Sequence, residues 1–115
     1  MILAVDINSF CTGYAFGGPQ DGVPRAGSWQ LPGADDLPRC CAILYSSICG
    51  LASLTCPVVI AIEAPLLLDG PLKGRNSALV LISLYGAALA AAGGIGARVV
   101  NANVQTWRKF FLGHG

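Results

Sequence analysis

Apolar and polar residues follow one another along the chain in blocks that predict strands first and helices later. The first block, Ile2–Asp6, is a short apolar run that ends in a carboxylate, which is typical of a buried strand. Further strands are predicted at Gly13–Gly17 and Val23–Leu31. The last of these belongs toward the sheet edge, because Pro24 cannot donate a backbone hydrogen bond. Short connections between the three strands favour an antiparallel meander.

The next blocks alternate helix and strand. Apolar residues at helical spacing predict a helix over Leu37–Leu54, capped by Asp35 or Asp36 and ended by Cys56-Pro57. Its apolar positions are Leu37, Cys41, Leu44, Ile48 and Leu51. The β-branched run Val58–Ile62 is typical of a central parallel strand that is buried on both faces, and Glu63 follows it.

The C-terminal part continues this alternation. A loop rich in Pro and Gly spans Ala64–Arg75, and Asn76 or Ser77 is expected to cap a helix over Ala78–Ala92 that Gly93-Gly94 ends. A strand at Ala97–Asn101 and a helix at Val104–Leu112, capped by Asn103, complete the predicted elements.

This order predicts one α/β domain over residues 1–115. A meander followed by crossover helices gives a mixed five-stranded sheet flanked by helices. The first and fourth strands can then be neighbours, which would bring Asp6 and Glu63 together at one edge of the sheet.

The composition is strongly apolar and the net charge is small. Only 11% of the residues are charged and 54% are hydrophobic, which indicates an oligomer interface or a face that a further segment covers. The net charge of +1 gives no global signature of nucleic-acid binding, although Lys73 with Arg75 and Arg108 with Lys109 form two small basic clusters.

Cysteine usage and targeting signals favour a cytoplasmic protein. The five cysteines include no CxxC pair and there is one histidine, so a zinc site is not expected and the cysteines are interpreted as small buried hydrophobes. The N-terminal residues are not expected to form a signal peptide, because they lack a basic region and Asp6 interrupts the apolar run. Residues 78–97 are uncharged, but their Gly and Ala content favours a core or interface helix over a membrane span.

The two strand-end acids suggest a metal site. A carboxylate at the end of a buried strand is costly to desolvate unless a partner compensates it. The partner could be a salt bridge or a turn, or a shared divalent cation, and carboxylate oxygens suit Mg²⁺ or Mn²⁺. Two such ions can support phosphodiester hydrolysis.

Three blocks of the sequence resemble the RuvC family of Holliday junction resolvases, in the family's order. Asp6-x-x-Ser9-x-x-Thr12-Gly13-Tyr14 is similar to the first motif. Ile62-Glu63 followed by Asn76-Ser77-Ala78-Leu79 is similar to the second, and Asn103-Val104-Gln105 through Gly113-His114-Gly115 to the third. The resemblance covers essentially the whole chain.

The resemblance implies a ribonuclease H-like fold and a homodimer that resolves four-way DNA junctions with Mg²⁺ or Mn²⁺. Asp6 and Glu63 would be metal ligands, and Arg108 or its neighbour Lys109 would lie near the scissile phosphate. The loop after Glu63 would face the junction, with Lys73 and Arg75 as phosphate contacts.

Two departures from the family pattern modify this expectation. Leu66 stands where the family often has an aromatic residue, so that an apolar wedge replaces base stacking; the longer loop suggests a phage-type member. The family also has two further ligands on a C-terminal helix, whereas this sequence ends at Gly115. We therefore expect a C-terminally truncated domain that lacks its catalytic helix and has little activity alone.

Three alternatives stay open. The chain could be a junction-binding module without nuclease activity, or another ribonuclease H-like nuclease that acts on RNA. An actin-like nucleotide-binding fragment is disfavoured, because the turn after Asp6 lacks a glycine-rich phosphate cradle.

Overall fold

A computed structural model describes residues 1–19, 22–63 and 75–102, with the backbone alone for residues 75–77 and 102. The strands are β1 (Ile2–Asp6), β2 (Cys11–Gly17), β3 (Arg25–Gln30), β4 (Val59–Glu63) and β5 (Arg98–Ala102), and the helices are α1 (Leu37–Thr55) and α2 (Arg75–Ile95). A single 3-10 turn, Ala34–Asp36, precedes α1. The predicted loop over 64–74 and the predicted last helix lie outside the described residues.

The strands form one mixed sheet in the order β3-β2-β1-β4-β5. β1 pairs with β2, and β2 with β3, in antiparallel orientation, whereas β4 is parallel to both β1 and β5. The predicted mixed five-stranded sheet and its three-strand meander are therefore confirmed. β3 lies at an edge, as the proline before it indicates.

The hydrophobic core lies between one face of the sheet and the two helices. Leu3 and Val5 of β1 and Ile60 and Ile62 of β4 are fully buried in one cluster with residues of α1 and α2. On the other face of β4, Val59 and Ala61 are only half-buried. The prediction that β4 is buried on both faces is therefore wrong, because both described helices pack on the same side.

Helix α1 begins and ends where the sequence places it. Asp36 is its N-cap, with Oδ1 accepting a hydrogen bond from the Arg39 N–H at 3.3 Å. At the other end Cys56 takes a left-handed conformation, and its N–H donates to the Ala52 carbonyl at 2.8 Å. The buried stripe differs from the predicted one by a small rotation of the helix. Its members are Cys40, Leu44, Ile48 and Ala52, while Leu37, Cys41 and Leu51 are half-buried beside it.

Helix α2 is longer than predicted at both ends. It begins at Arg75, so Asn76 and Ser77 lie in its first turn rather than at its N-cap, and it continues through Gly93-Gly94. The helix ends where Gly96 takes a φ of 82°. The N–H of Gly96 donates to the Gly93 carbonyl and that of Ala97 to the Ala92 carbonyl, each at 3.2 Å, which closes a Schellman motif.

Small residues explain why the helix does not stop at the first glycine pair. Three alanines of α2, Ala88, Ala91 and Ala92, are buried against α1 and the sheet. This packing holds the backbone of α2 in helical conformation up to its last turn. Only at Gly96 does the chain need a conformation that residues with a side chain rarely adopt.

Both long helices are long and apolar enough to cross a membrane by length and composition. The two segments are Ala34–Thr55, with a mean hydropathy of 1.4, and Ala78–Ile95, with 2.0. Core helices of soluble proteins pass the same test, and one stripe of each helix here packs into the core with the sheet. The interpretation of α2 as a core or interface helix stays a prediction.

The cysteines are free and differ in exposure. Cys40 is buried and Cys41 and Cys49 are half-buried, but Cys11 and Cys56 are exposed, so the prediction that all five are buried hydrophobes is wrong. Desolvation by burial, together with the neighbouring Cys40 thiol, raises the pKa of Cys41. That thiol therefore stays protonated at neutral pH and is a poor nucleophile.

Candidate metal and nucleic-acid site

The two strand-end acids, Asp6 and Glu63, lie side by side in the sheet. β1 and β4 pair in parallel with Val5 opposite Ile62, and Asp6 and Glu63 are the next residues of the two strands. Neighbouring strands are about 4.8 Å apart, so the two backbones are close at this point. The sequence-based expectation that Asp6 and Glu63 come together at one edge of the sheet therefore agrees with the strand register.

Both carboxylates project from the same face of the sheet. Side chains alternate along a strand, and Val5 and Ile62 point into the core under the helices. Asp6 and Glu63 therefore project from the opposite face, at the carboxyl ends of two parallel strands. Asp6 is exposed and Glu63 is half-buried.

The exposure of Asp6 corrects one step of the sequence argument. The desolvation of a buried carboxylate was expected to demand a compensating partner, but Asp6 is open to solvent. A ligand at this point is therefore indicated by the two adjacent carboxylates, and not by a desolvation cost of Asp6. An open position is also what a site that receives a phosphodiester requires.

The turn after Asp6 is held by a buried threonine. Thr12 is fully buried, and its Oγ1 donates to the Asn8 carbonyl at 2.8 Å and accepts from the Asn8 N–H at 3.2 Å. Asn8 Oδ1 accepts from the Phe10 N–H at 3.0 Å, which closes an Asx turn. One buried side chain thus satisfies both backbone groups of Asn8 and fixes the path of the chain away from Asp6.

The same turn is tied to the segment that leads into α1. The Leu31 N–H donates to the Phe10 carbonyl at 2.8 Å, and the Cys40 thiol of α1 is 3.8 Å from the Ser9 carbonyl, to which it donates. Phe10 itself is 64% exposed. Sequence reasoning missed the roles of Thr12 and Phe10, although a threonine four residues after an asparagine at a strand end is a usable signal for such a turn.

The structure does not describe the side chains of the other predicted site residues. Leu66, Lys73, Arg108 and Lys109 lie outside the described residues, and Arg75 is described only as the first backbone position of α2.

The chain segments that contain these residues nevertheless connect to the sheet at the end where Asp6 and Glu63 lie. The segment after Glu63 leaves the sheet at that edge, and β5 ends at Ala102, directly opposite Glu63. Both segments with the predicted cations therefore connect to the sheet beside the carboxylate pair.

The described part of the chain brings together two candidate metal ligands, Asp6 and Glu63, and not three. Among residues 1–19, 22–63 and 75–102, no group of three or more His, Cys, Asp or Glu side chains could hold a metal ion. Two adjacent carboxylates can bind one face of a hard divalent cation, which leaves its other positions for water or for substrate oxygens. The arrangement fits Mg²⁺ or Mn²⁺ better than zinc, which prefers nitrogen and sulfur ligands.

Comparison with known proteins shows the fold. No family model and no curated protein matches the sequence. Among solved structures, Thermus thermophilus RuvC is similar with a TM-score of 0.72 and 13% identity, over 98% of this chain and 69% of that one. T. thermophilus RuvC in complex with a Holliday junction substrate is similar with a TM-score of 0.73 and 11% identity, over 95% and 69%. The chain therefore has a RuvC-like, ribonuclease H-like fold.

The buried threonine gives a stability prediction. Thr12→Val keeps the shape of the side chain but leaves the Asn8 N–H and carbonyl without their partner, so we expect a loss of about 1–3 kcal/mol in the free energy of unfolding. Urea denaturation measures it. Thr55→Val is the matched control, because its Oγ1 bonds only to the Leu51 carbonyl within α1. Equal stability of the two variants would contradict the role of Thr12.

Proposed function

We propose that the chain is the nuclease domain of a metal-dependent enzyme that cuts branched DNA at four-way junctions. The observation that carries the proposal is the parallel register of β1 and β4, which sets Asp6 beside Glu63 on one face of a RuvC-like sheet. The similar structure that contains a Holliday junction substrate supports branched DNA as the partner.

Asp6 and Glu63 would hold the Mg²⁺ or Mn²⁺ ion. The two carboxylates offer hard oxygen ligands from two adjacent strands, and the exposure of Asp6 leaves the site open to a phosphate. When bound, such an ion supplies charge stabilisation and an acidified water for phosphodiester hydrolysis. The cation would also offset the repulsion between these carboxylates and the phosphates of the DNA backbone.

The chain's own residues would position the substrate around this pair. The Thr12-anchored turn holds the backbone after Asp6 in one conformation, so the carboxylate is offered at a fixed place. Arg108 or Lys109 would contact the scissile phosphate, and Lys73 and Arg75 would contact phosphates farther along the strand. Leu66 would insert between bases near the junction centre.

A homodimer would supply two such sites for the two strands that a junction resolvase cuts. Helix α2 has an apolar surface that is turned away from the core, which includes Leu79, Ile82 and Leu89 at helical spacing. Gly86 is exposed between them, which allows a second helix to approach closely. A second copy of the chain is the occupant that this self-complementary apolar surface fits best.

A second candidate function has one observation in its favour. The described residues hold only two of the ligands that a complete site needs. In this second proposal the chain is a junction-binding module that binds four-way junctions but cuts them slowly or not at all.

The nuclease proposal predicts the behaviour of carboxylate variants of the protein. With Mg²⁺ or Mn²⁺ it should cut synthetic four-way junctions and spare linear duplex of the same sequence. Asp6→Asn and Glu63→Gln should each lower the cleavage rate strongly. Loss of a residue that only supports a metal ligand costs about 10- to 100-fold, and loss of the ligand itself should cost more. Junction binding, measured by gel shift, should change little.

Asp35→Asn is the matched control for these variants. Asp35 is an exposed carboxylate in the 3-10 turn before α1, so its loss should leave cleavage intact. Cleavage that persists in both Asp6→Asn and Glu63→Gln, or that does not distinguish junction from duplex, would contradict the proposal. Binding without cleavage by the wild-type protein would favour the second candidate.

The dimer proposal predicts the effect of a charge on α2. Ile82 is 46% exposed on the apolar surface, so Ile82→Arg should leave the fold intact but place two like charges in the interface. We expect the dimer Kd to rise by at least about tenfold, which corresponds to 1.4 kcal/mol. Sedimentation velocity measures it. Ser46→Arg on the exposed side of α1 is the control, and equal association of both variants would contradict this interface.

A further inference from the structure

An open groove lies at the end of the sheet opposite the carboxylates. It has a volume of about 480 Å³ and is lined by Phe16 from β2, Arg25 from β3 and Leu51, Leu54 and Thr55 from α1. The volume falls within the range of roughly 300–1,000 Å³ that is usual for ligand sites. At about 3.3 Å per residue, the amino end of β1 is some 13 Å from Asp6, so a ligand in the groove would not contact the carboxylate pair.

Exposed aliphatic side chains flank the groove. Val23 is 85% exposed and Leu54 is 83% exposed, and both line it. Val58 is also exposed, and its N–H donates to the carbonyl of Met1, a further lining residue. Exposed apolar side chains that are grouped together mark an interaction site more often than scattered single residues do.

Arg25 contributes a positively charged side chain to the lining of the groove. Arg25 pairs with Phe16 across the two strands, so both side chains lie on the side of the sheet where α1 packs. The described carboxylates, Asp6, Asp35, Asp36 and Glu63, belong to the opposite end of the sheet. In the described part of the chain Arg25 therefore has no acidic neighbour.

The backbone of β3 offers a further recognition element. β3 is an edge strand, so in the described part of the chain its outer N–H and carbonyl groups pair with no other strand. An extended peptide can add to such an edge through main-chain hydrogen bonds while its alternate side chains fill pockets. The groove opens at the amino end of this same strand, where Arg25 begins it.

We propose that this groove binds an extended, acidic and apolar segment of a partner protein. A bulky apolar side chain enters between Phe16 and Leu54, and a carboxylate two residues away pairs with Arg25. The main chain of the segment continues along β3. The groove lies at the amino end of β1 and the carboxylate pair at the carboxyl ends of β1 and β4, so a segment that is anchored in the groove leaves Asp6 and Glu63 open.

A labelled synthetic peptide tests the proposal without DNA or metal. The probe is Asp-Thr-Phe-Thr-Leu-Thr-Asp, whose acidic and apolar side chains share one face in an extended chain. Fluorescence polarisation should show saturable binding to the wild-type chain. Replacing both Asp by Lys, or both Phe and Leu by Ser, should weaken binding by at least about tenfold.

Variants of the protein locate the site. Leu54→Gln and Arg25→Glu change exposed residues, so both should fold, which thermal unfolding checks. Each should weaken the acidic peptide by at least about tenfold, and Arg25→Glu should restore binding of the lysine peptide. Arg39→Glu at the other end of α1 is the matched control and should bind normally.

Three results would overturn the proposal. The first is equal binding of the acidic, lysine and serine peptides. The second is an Arg25→Glu variant that loses junction binding and keeps peptide binding, which would make Arg25 a DNA contact. The third is self-association of the chain that Leu54→Gln abolishes, which would make the groove an interface between copies. Since the peptide assay needs no nuclease activity, its failure leaves the proposed function intact.

Discussion

The parallel pairing of β1 with β4 is the interaction on which the rest of the structure depends. It joins the N-terminal meander to the crossover half of the domain, and it places Leu3 opposite Ile60 and Val5 opposite Ile62 in the centre of the core. A shift of one residue in this register would turn those side chains out of the core and would part Asp6 from Glu63. The same burial that stabilises the sheet therefore fixes the geometry of the candidate site.

Much of the architecture could be predicted because the strands have strong local signals. The Ile2–Asp6 run begins and ends where β1 does, and the β-branched run before Glu63 corresponds to β4. The expectation that strands one and four are neighbours followed from the rules for connections between strands. It agrees with the observed strand order, in which β1 lies beside β4. The helix α1 was predictable for the same reason, since Asp36 and Cys56-Pro57 mark its ends in the sequence.

What could not be predicted depends on tertiary contacts. Gly93-Gly94 has the local signal of a helix end, but packing of the alanine-rich side of α2 carries the helix on to Gly96. Asp6 follows three fully buried residues and is nevertheless exposed, because it is the last residue of β1 and lies at the end of the sheet. The roles of Leu66, Lys73, Arg75, Arg108 and Lys109, the metal, the phage origin and the truncation stay predictions.

The proposed function requires that Asp6 and Glu63 share one divalent cation. Titration of Mn²⁺ into the isotope-labelled chain, followed by paramagnetic broadening of its amide NMR signals, tests this directly and requires no activity. We expect broadening that is strongest at the carboxyl ends of β1 and β4 and that Asp6→Asn largely abolishes. Broadening centred on Asp35 and Asp36, or spread evenly over the surface and unchanged by the substitution, would contradict it.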